Sequence, residues 1–310
     1  MKINFFIITL LITTILYGQN TSTNSNNSPY LLILGTLQDG GSPHIGCQKE
    51  CCKKIDSNKK VVSLGIIDPM NEKKFLVEAT PDITSQLKAF NKTQKEKLAY
   101  VPDGIFLTHA HIGHYTGLMQ FGREAMNSKS VKVFAMPKMK VYLEKNGPWS
   151  QLVSLHNIEV EQIEENVWKN ITSSIKIKPL LVPHRDEYSE TVGYIVEGPQ
   201  KKVLFIPDID KWEKWKTDIV SLIRQVDYAL LDGTFFSNSE VAYRNVEEIP
   251  HPLVIESLKL FEDISLQDKN KIYFIHLNHT NPLLNKSSNA YKNIIKKGYH
   301  VAEINMSFKL

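Results

Sequence analysis

The order of apolar and polar segments in this chain predicts a layered α/β protein. Apolar segments at 30–36, 61–67 and 74–79 are typical of consecutive strands, and strands alternate with helices further along. Several apolar segments also end directly in His or Asp, which predicts ligand-type side chains at the ends of strands. With 310 residues, the chain is long enough to bury a sizeable core as one large unit.

The N-terminus has the layout of a secretory signal peptide. Residues 1–18 contain one lysine, a long apolar run and a small residue, and the apolar run is shorter than the roughly 20 residues of a membrane span. Residues 19–29 are rich in Asn, Ser and Thr, which is typical of a disordered leader. We therefore expect a folded domain at 30–310 that is exported to the periplasm or secreted, without membrane association after cleavage. A retained anchor is the alternative.

A glycine-rich loop at 37–43 follows the first strand, and all three cysteines come directly after it. Cys47, Cys51 and Cys52, with His44 beside them, could form a small structural zinc site, because zinc favours tetrahedral sulfur and nitrogen ligands. The alternative is a disulfide with one thiol left over, as an oxidising compartment would allow.

The middle of the chain begins the alternation of strands and helices. A turn at 68–71 separates the second and third strands, and Pro81 is tolerated in the first turn of a helix that runs toward Phe90. A strand at 131–135 and a helix at 137–145 follow a short buried strand at 104–107.

Three histidines lie within six residues where the short buried strand turns into a helix. His109 stands at the strand end, and His111 and His114 follow it, with Tyr115 and Leu118 on the apolar side of the predicted helix. Neutral imidazole is the commonest metal ligand in proteins, and a strand end can hold several rings around one ion. The spacing therefore predicts a metal site.

Three later strands end in further ligand types. His184 follows the strand at 175–182, and Asp208 follows the strand at 202–206. Asp208 is favoured over Asp210 because it lies nearer the strand end. The strand at 271–275 is followed by His276, which the same argument favours over His279.

The spacing His-x-His-x-x-His resembles the first metal motif of the metallo-β-lactamase fold superfamily, His-x-His-x-Asp-His. The resemblance implies a four-layer αββα sandwich with a metal centre at one edge. It implies that His109, His111 and His184 bind a first metal, that Asp208 bridges, and that His114 and His276 serve a second. Gly113 stands where that superfamily has aspartate, and Asp39 on the glycine-rich loop is a candidate to replace the missing carboxylate; otherwise it is an ordinary turn residue.

The last third of the chain resembles the pyrroloquinoline-quinone biosynthesis protein B family, through the segments 226–236, 249–252, 276–284 and 306–308. More distantly, the chain is similar to the phosphodiesterase branch with tRNase Z and the carbon-phosphorus lyase phosphodiesterase. That similarity implies that His251 assists the leaving group. His109 and His111 are often absent from the quinone-biosynthesis group, whose members are typically cytoplasmic.

These observations predict a zinc-dependent hydrolase of a phosphodiester or other ester, with one or two ions and with manganese or iron as alternatives. A zinc-class ion lowers the pKa of bound water toward about 7, which supplies hydroxide at neutral pH. Arg185 could clamp an anionic small-molecule substrate, although it could equally be an exposed structural arginine. The quinone-biosynthesis resemblance instead implies an oxygenase or hydroxylase acting on a tyrosine-containing peptide, and a non-enzymatic binding module is a third hypothesis.

The charge distribution argues against a nucleic-acid partner. Lys and Arg exceed Asp and Glu only by 37 to 33, and the excess is spread along the chain. The sequence leaves a homodimer open.

Overall fold

A computed structural model describes residues 28–53, 56, 58–92, 98–241 and 248–310. The predicted signal peptide at 1–18 and most of the leader at 19–29 lie outside the described residues. In the part of the chain that is described, no helix has both the length and the apolar character needed to cross a membrane.

The first sheet is formed mainly by the N-terminal half of the chain, and its strands run in the order β14-β1-β2-β3-β4-β5-β6. The neighbouring strands β14, β1, β2 and β3 pair antiparallel, and the neighbouring strands β3, β4, β5 and β6 pair parallel. The strands are β1 (Tyr30–Gly35), β2 (Ser63–Asp68), β3 (Lys73–Val77), β4 (Gly104–Phe106), β5 (Val131–Ala135), β6 (Ile158–Gln162) and β14 (Ser307–Lys309).

The second sheet has the same number of strands, in the order β13-β12-β11-β10-β9-β8-β7. Here β7 to β10 are antiparallel, and β10 to β13 are parallel. The strands are β7 (Lys169–Asn170), β8 (Lys176–Leu181), β9 (Val192–Glu197), β10 (Lys202–Ile206), β11 (Tyr228–Asp232), β12 (Ile272–Ile275) and β13 (His300–Val301).

Helices cover the outer faces of both sheets. They are α1 (Ile83–Lys92), α2 (Ile112–Tyr115), α3 (Pro137–Lys145), α4 (Trp149–Ser154), α5 (Ile219–Gln225), α6 (Val254–Leu260), α7 (Leu266–Lys269) and α8 (Asn289–Lys296). The predicted helix at 137–145 is found with the same bounds.

The strands are apolar on both faces because both faces are buried. In β1, Leu31 and Ile33 pack between the two sheets, whereas Leu32 and Leu34 pack under the helices of the first sheet. Strand β10 alternates in the same way, with Val203 between the sheets. Three apolar layers therefore separate four layers of secondary structure, and the predicted αββα sandwich is confirmed.

The segment after the histidine motif differs from the predicted single helix. Helix α2 has only four residues, and a 3-10 helix at Thr116–Phe121 continues it. The segment is held against the connection after β3, because Ala79 donates to the His114 carbonyl and Gly117 donates to the Ala79 carbonyl, at 2.9 and 2.8 Å. A Cβ at Gly117 would lie 2.1 Å from the Thr80 carbonyl oxygen, so the close approach requires glycine.

Candidate metal centre

Four connections that follow strands β4, β8, β10 and β12 meet at one edge of the sandwich. The first group of ligand-type side chains consists of His109, His111, His184 and Asp208, whose ligand atoms all lie within 4.8 Å of one another. His109 Nε2 lies 2.8 Å from His111 Nδ1 and 3.4 Å from Asp208 Oδ2. His184 Nε2 lies 3.3 Å from Asp208 Oδ1. The structure thus brings together the set predicted for a first metal.

The second group shares Asp208 and adds His114, His276 and Asp39. Asp39 Oδ1 lies 2.9 Å from His114 Nε2 and 3.4 Å from His276 Nε2. His114 Nε2 and His276 Nε2 each lie 3.8 Å from Asp208 Oδ2. Asp208 therefore occupies the position between the two groups that a bridging carboxylate requires.

Gly113 explains how Asp39 reaches this position. A Cβ at residue 113 would lie 2.5 Å from Asp39 Oδ1 and 2.6 Å from Asp39 Cα. The glycine-rich loop thus lies directly on the backbone of α2, in space that a side chain at 113 would occupy. The carboxylate that the His-x-His-x-Asp-His pattern supplies from the motif is supplied here by the loop after β1.

Polar contacts from outside the centre orient the histidine rings. Thr108 Oγ1 lies 2.9 Å from His109 Nδ1, Glu78 Oε1 lies 3.2 Å from His114 Nδ1, and Thr234 Oγ1 lies 2.8 Å from His276 Nδ1. His111 has the opposite orientation, with Nε2 at 3.1 Å from Glu187 Oε2. Such partners select the ring nitrogen that faces a metal, namely Nε2 of the first three rings and Nδ1 of His111.

The electrostatics of the two groups differ, because burial would lower the pKa of His114 but Asp39 and Glu78 raise it well above its usual range. Burial lowers the pKa of His109 well below its usual range and that of His184 to about 4, so both rings are neutral, as metal ligation requires. Burial would raise the pKa of Asp208, but the neighbouring histidines, led by His184, hold it well below its usual range. Burial likewise opposes ionisation of Asp39, and His114 overcomes it, so this carboxyl is also ionised.

The residues fit a bound cation. His114 Nε2, both ring nitrogens of His184 and Asp208 Oδ1 are buried and form no hydrogen bond among the described residues. Buried polar atoms rarely lack a partner, and these three side chains belong to the two ligand groups that share Asp208. Imidazoles and carboxylates in these numbers suit zinc, manganese or iron, so donor chemistry supports a metal without selecting one.

His251 lies beside Asp208 and is also in contact with Asp232 at the end of β11. His251 Nδ1 lies 2.9 Å from Asp232 Oδ2 and 3.1 Å from Asp208 Oδ1. Burial would lower the pKa of His251, but Asp232 and then Asp208 raise it to about 9. The side chain is 9 % exposed, so a ring that carries a proton at neutral pH borders the centre.

A separate cluster lies beside the glycine-rich loop and contains Cys47, Cys51, Cys52 and His279, with ligand atoms within 4.8 Å of one another. His44, which the sequence predicted for this set, is not among these residues: its Nδ1 lies 2.9 Å from the Ile45 carbonyl oxygen, and its ring stacks on the His279 ring with 4.4 Å between centroids. His279 is correspondingly not a ligand of the two central groups. The three thiols are free, so no disulfide is formed. We call this set the cysteine cluster.

Two residues considered in the sequence analysis, Arg185 and Asp210, lie at the rim of the candidate metal centre. Arg185 is 56 % exposed and lies 3.9 Å from Glu187 on the loop before β9. Asp210, the alternative to Asp208, accepts from Lys214 at 2.8 Å and is absent from both ligand groups.

Sequence reasoning did not include four supporting residues. Glu78 and Asp232 follow or end apolar strands, which is the signal that selected Asp208, and both are completely buried. Thr108 and Thr234 have no comparable signal: a threonine beside a histidine, as at Thr108, is common in any loop, and Thr234 has no histidine near it in the sequence.

Comparisons with known proteins agree with this geometry. The profile of the Beta-lactamase superfamily domain matches residues 73–277. Coenzyme PQQ synthesis protein B of Methylococcus capsulatus is 26% identical over 300 residues, covering 87% of this chain and 96% of the relative. Coenzyme PQQ synthesis protein B of Pseudomonas entomophila is 23% identical, and the match covers 91% of this chain and 100% of the relative.

Solved structures share the fold. Zn²⁺-bound PqqB from Methylobacterium extorquens superposes with a TM-score of 0.74 at 21% identity, and the match covers 91% of this chain and 100% of the PqqB chain. A diphosphatase from the PhnP family gives a TM-score of 0.62 at 20% identity, covering 91% and 97%. Human tRNase Z, short form, gives 0.53 at 12% identity, covering 90% and 98%.

Proposed function

Because the chain belongs to the β-lactamase superfamily, whose domain profile matches residues 73–277, we propose that it is a metal-dependent hydrolase of a phosphodiester or other ester. The observation that carries this proposal is the pair of ligand groups joined by Asp208, with His251 and Asp232 in contact beside them. Cations held by these residues would supply an activated water nucleophile and polarise a substrate oxygen.

The residues of the chain would divide the work as follows. His109, His111 and His184 hold one cation, Asp39, His114 and His276 hold the other, and Asp208 contacts both. His251 donates its proton to the leaving oxygen of the ester, and Asp232 keeps the ring oriented and protonated through the 2.9 Å contact with Nδ1. Because Nδ1 faces Asp232 and Asp208, Nε2 is the atom that donates.

The substrate in this proposal is a small anionic molecule. An anion is favoured by the cations and by the positively charged His251. Arg185 lies on the loop that follows His184 and is exposed enough to reach a substrate, which makes it the proposed clamp. We further propose that the chain acts after export, and that nucleic acid is not its substrate.

Elemental analysis joined to an ester screen tests the proposal. We expect zinc or manganese in the purified chain, a lower content of this metal in His109→Ala, and turnover of bis(p-nitrophenyl) phosphate or a carboxylic ester by the wild type but not by His109→Ala. His156→Ala, an exposed histidine in the turn before β6, is the matched control and should keep both metal and activity. Absence of metal from the wild type, or a metal content of His109→Ala equal to that of the wild type, would contradict the proposal.

The role of His251 has its own signature. A general acid contributes about 10²–10⁴-fold to the rate, and its removal slows poor leaving groups more than good ones. His251→Gln should therefore depress the hydrolysis of alkyl esters more strongly than that of nitrophenyl esters. An equal loss for both would contradict proton donation.

A second candidate function follows from the relatives. Proteins named for coenzyme PQQ synthesis match the chain over 87% or more of its length, and the same ligands suit iron. An oxygenase or hydroxylase would contain iron that is lost in His109→Ala, and would consume dioxygen rather than hydrolyse esters.

The cysteine cluster is the proposed site of a structural zinc ion. Three sulfurs and one imidazole within 4.8 Å match the Cys₃His composition of closed tetrahedral sites. Burial lowers the pKa of His279 to about 4, which keeps the ring neutral for ligation.

A further inference from the structure

The loop that carries Asp39 is attached to the cysteine cluster. The His44 backbone N–H donates to Cys52 Sγ at 3.2 Å, and the His44 ring stacks on His279 at 4.4 Å. The same ring packs against Gly40, where a Cβ would lie 2.4 Å from His44 Cδ2. Since Gly40 directly follows Asp39, the position of the carboxylate depends on contacts that end in the cluster.

The segment after β12 contributes His279 to the cluster and also carries His276, a ligand-type residue of the second group. His279 lies three positions after His276, and both follow β12. A metal in the cluster would bond the cysteines of the loop after β1 and His279 of the segment after β12. It would therefore tie together the two segments that bring Asp39 and His276 within 3.4 Å of each other.

The upstream end of the loop is anchored independently of the cluster. Gln38 donates to the Leu277 carbonyl at 3.0 Å, and Leu277 donates to the Thr36 carbonyl at 2.8 Å. Beyond Gln38, the chain turns through Gly40 and Gly41, the latter with φ of 61°, before it meets the cluster. Two consecutive glycines give this stretch little stiffness of its own.

We propose that metal in the cysteine cluster controls the affinity of the second catalytic site by fixing the loop that carries Asp39. This inference rests on the proposed function, which places a cation between Asp39, His114 and His276. Metal ligands must lie within about 0.2 Å of their ideal distances, so small displacements of Asp39 weaken the site. By thermodynamic linkage, a cation at the second site must also strengthen metal binding in the cluster.

The first site provides an internal control. His109 and His111 come from the segment after β4, and His184 comes from the segment after β8. None of these residues belongs to the two segments that the cluster joins. Emptying the cluster should therefore weaken the second site and leave the first unchanged.

Cobalt(II) titration of the full chain tests the inference, because thiolate ligands give the cluster a charge-transfer absorption that the other sites lack. The second site is measured in a His109→Ala background and the first in a His114→Ala background, each by competition with a chromophoric chelator. Cys51→Ser should abolish the thiolate absorption and weaken the second site by about tenfold or more, as loss of ligand support does elsewhere. The affinity of the first site should stay the same.

His44→Ala separates the attachment from the cluster itself. It should keep the thiolate absorption and still weaken the second site, because the ring that joins the cluster to Gly40 is gone. Ile45→Ala is the matched control in the same loop, since the Ile45 side chain is 92% exposed, and it should change neither site.

Two results would overturn the inference: an unchanged second site in Cys51→Ser with the cluster empty, or equal weakening of both sites, which would indicate general loosening. The proposed function fails separately. If emptying the cluster weakens the second site but the wild type hydrolyses no ester, the proposed function is wrong. If the wild type hydrolyses esters but the affinity of the second site does not depend on the cluster, the inference is wrong.

Discussion

Replacing Gly113 with alanine should remove one cation from the centre and leave the other. The new Cβ would lie 2.5 Å from Asp39 Oδ1 and 2.6 Å from Asp39 Cα. Carbon atoms make ordinary contact at about 3.5–4.0 Å, so the backbone of the loop must retreat by roughly 1 Å. Rotation of the Asp39 side chain cannot relieve the clash, because one of the two contacts is with Cα.

A retreat of this size exceeds the tolerance of about 0.2 Å for a metal–ligand distance, so Asp39 would cease to be a ligand. Loss of outer support alone weakens metal sites by 10–100-fold, and loss of a carboxylate ligand should cost at least about 100-fold at the second site. The first site contains no atom of the loop and should keep its affinity.

The assay is the metal content of the chain after dialysis against buffered manganese or zinc, with circular dichroism to verify folding. Gly147→Ala is the matched control, because a Cβ there meets nothing within 4 Å. If Gly113→Ala retained the full cation content of the Gly147→Ala control, the assignment of Asp39 as the replacement carboxylate would be refuted.

Three further predictions concern stability. Burial would raise the pKa of Asp68, but hydrogen bonds, led by those from Ser174 and Thr172, lower it. The ionised form of Asp68 therefore stabilises the fold at pH above about 4. This contribution is lost as the pH falls through the lowered pKa. Asp68→Asn should cost about 1–3 kcal/mol at pH 7 and less at pH 3, by urea unfolding; an equal cost at both would be contrary evidence. Tyr194→Phe removes a 2.5 Å hydrogen bond to the Leu107 carbonyl between the sheets and should cost about 1–3 kcal/mol at any pH from 5 to 8. Chelation of metal from the wild type should lower its Tm, whereas an unchanged Tm would mean that no cation stabilises the folded state.

The sequence predicted the fold and most of the central side chains because their signals are local. An apolar strand that ends in His or Asp can be recognised without knowing its neighbours, and in an αββα sandwich these ends meet at one edge. His109, His184 and Asp208 were found in this way. Their convergence at one edge was implied by the resemblance to the metallo-β-lactamase fold superfamily.

Asp39 and His279 could not be assigned by the same reasoning, because their roles depend on which loops touch. Asp39 is separated from His276 by 237 positions, and nothing in the glycine-rich loop specifies that α2 lies beneath it. His279 was weighed as an alternative to His276 because both follow the same strand. The turn after β12 points them in different directions, and His276 adopts the left-handed conformation with φ of 62°.

The wide separation of Asp39 and His276 also bears on when the centre can be completed. His109 and His111 are only two positions apart in the chain, whereas His184 and Asp208 of the first group follow strands of the second sheet. The second site joins residues from near both ends of the folded domain, across 237 positions, and exists only after the second sheet has formed. A cation at that site would therefore bind only after both sheets have formed.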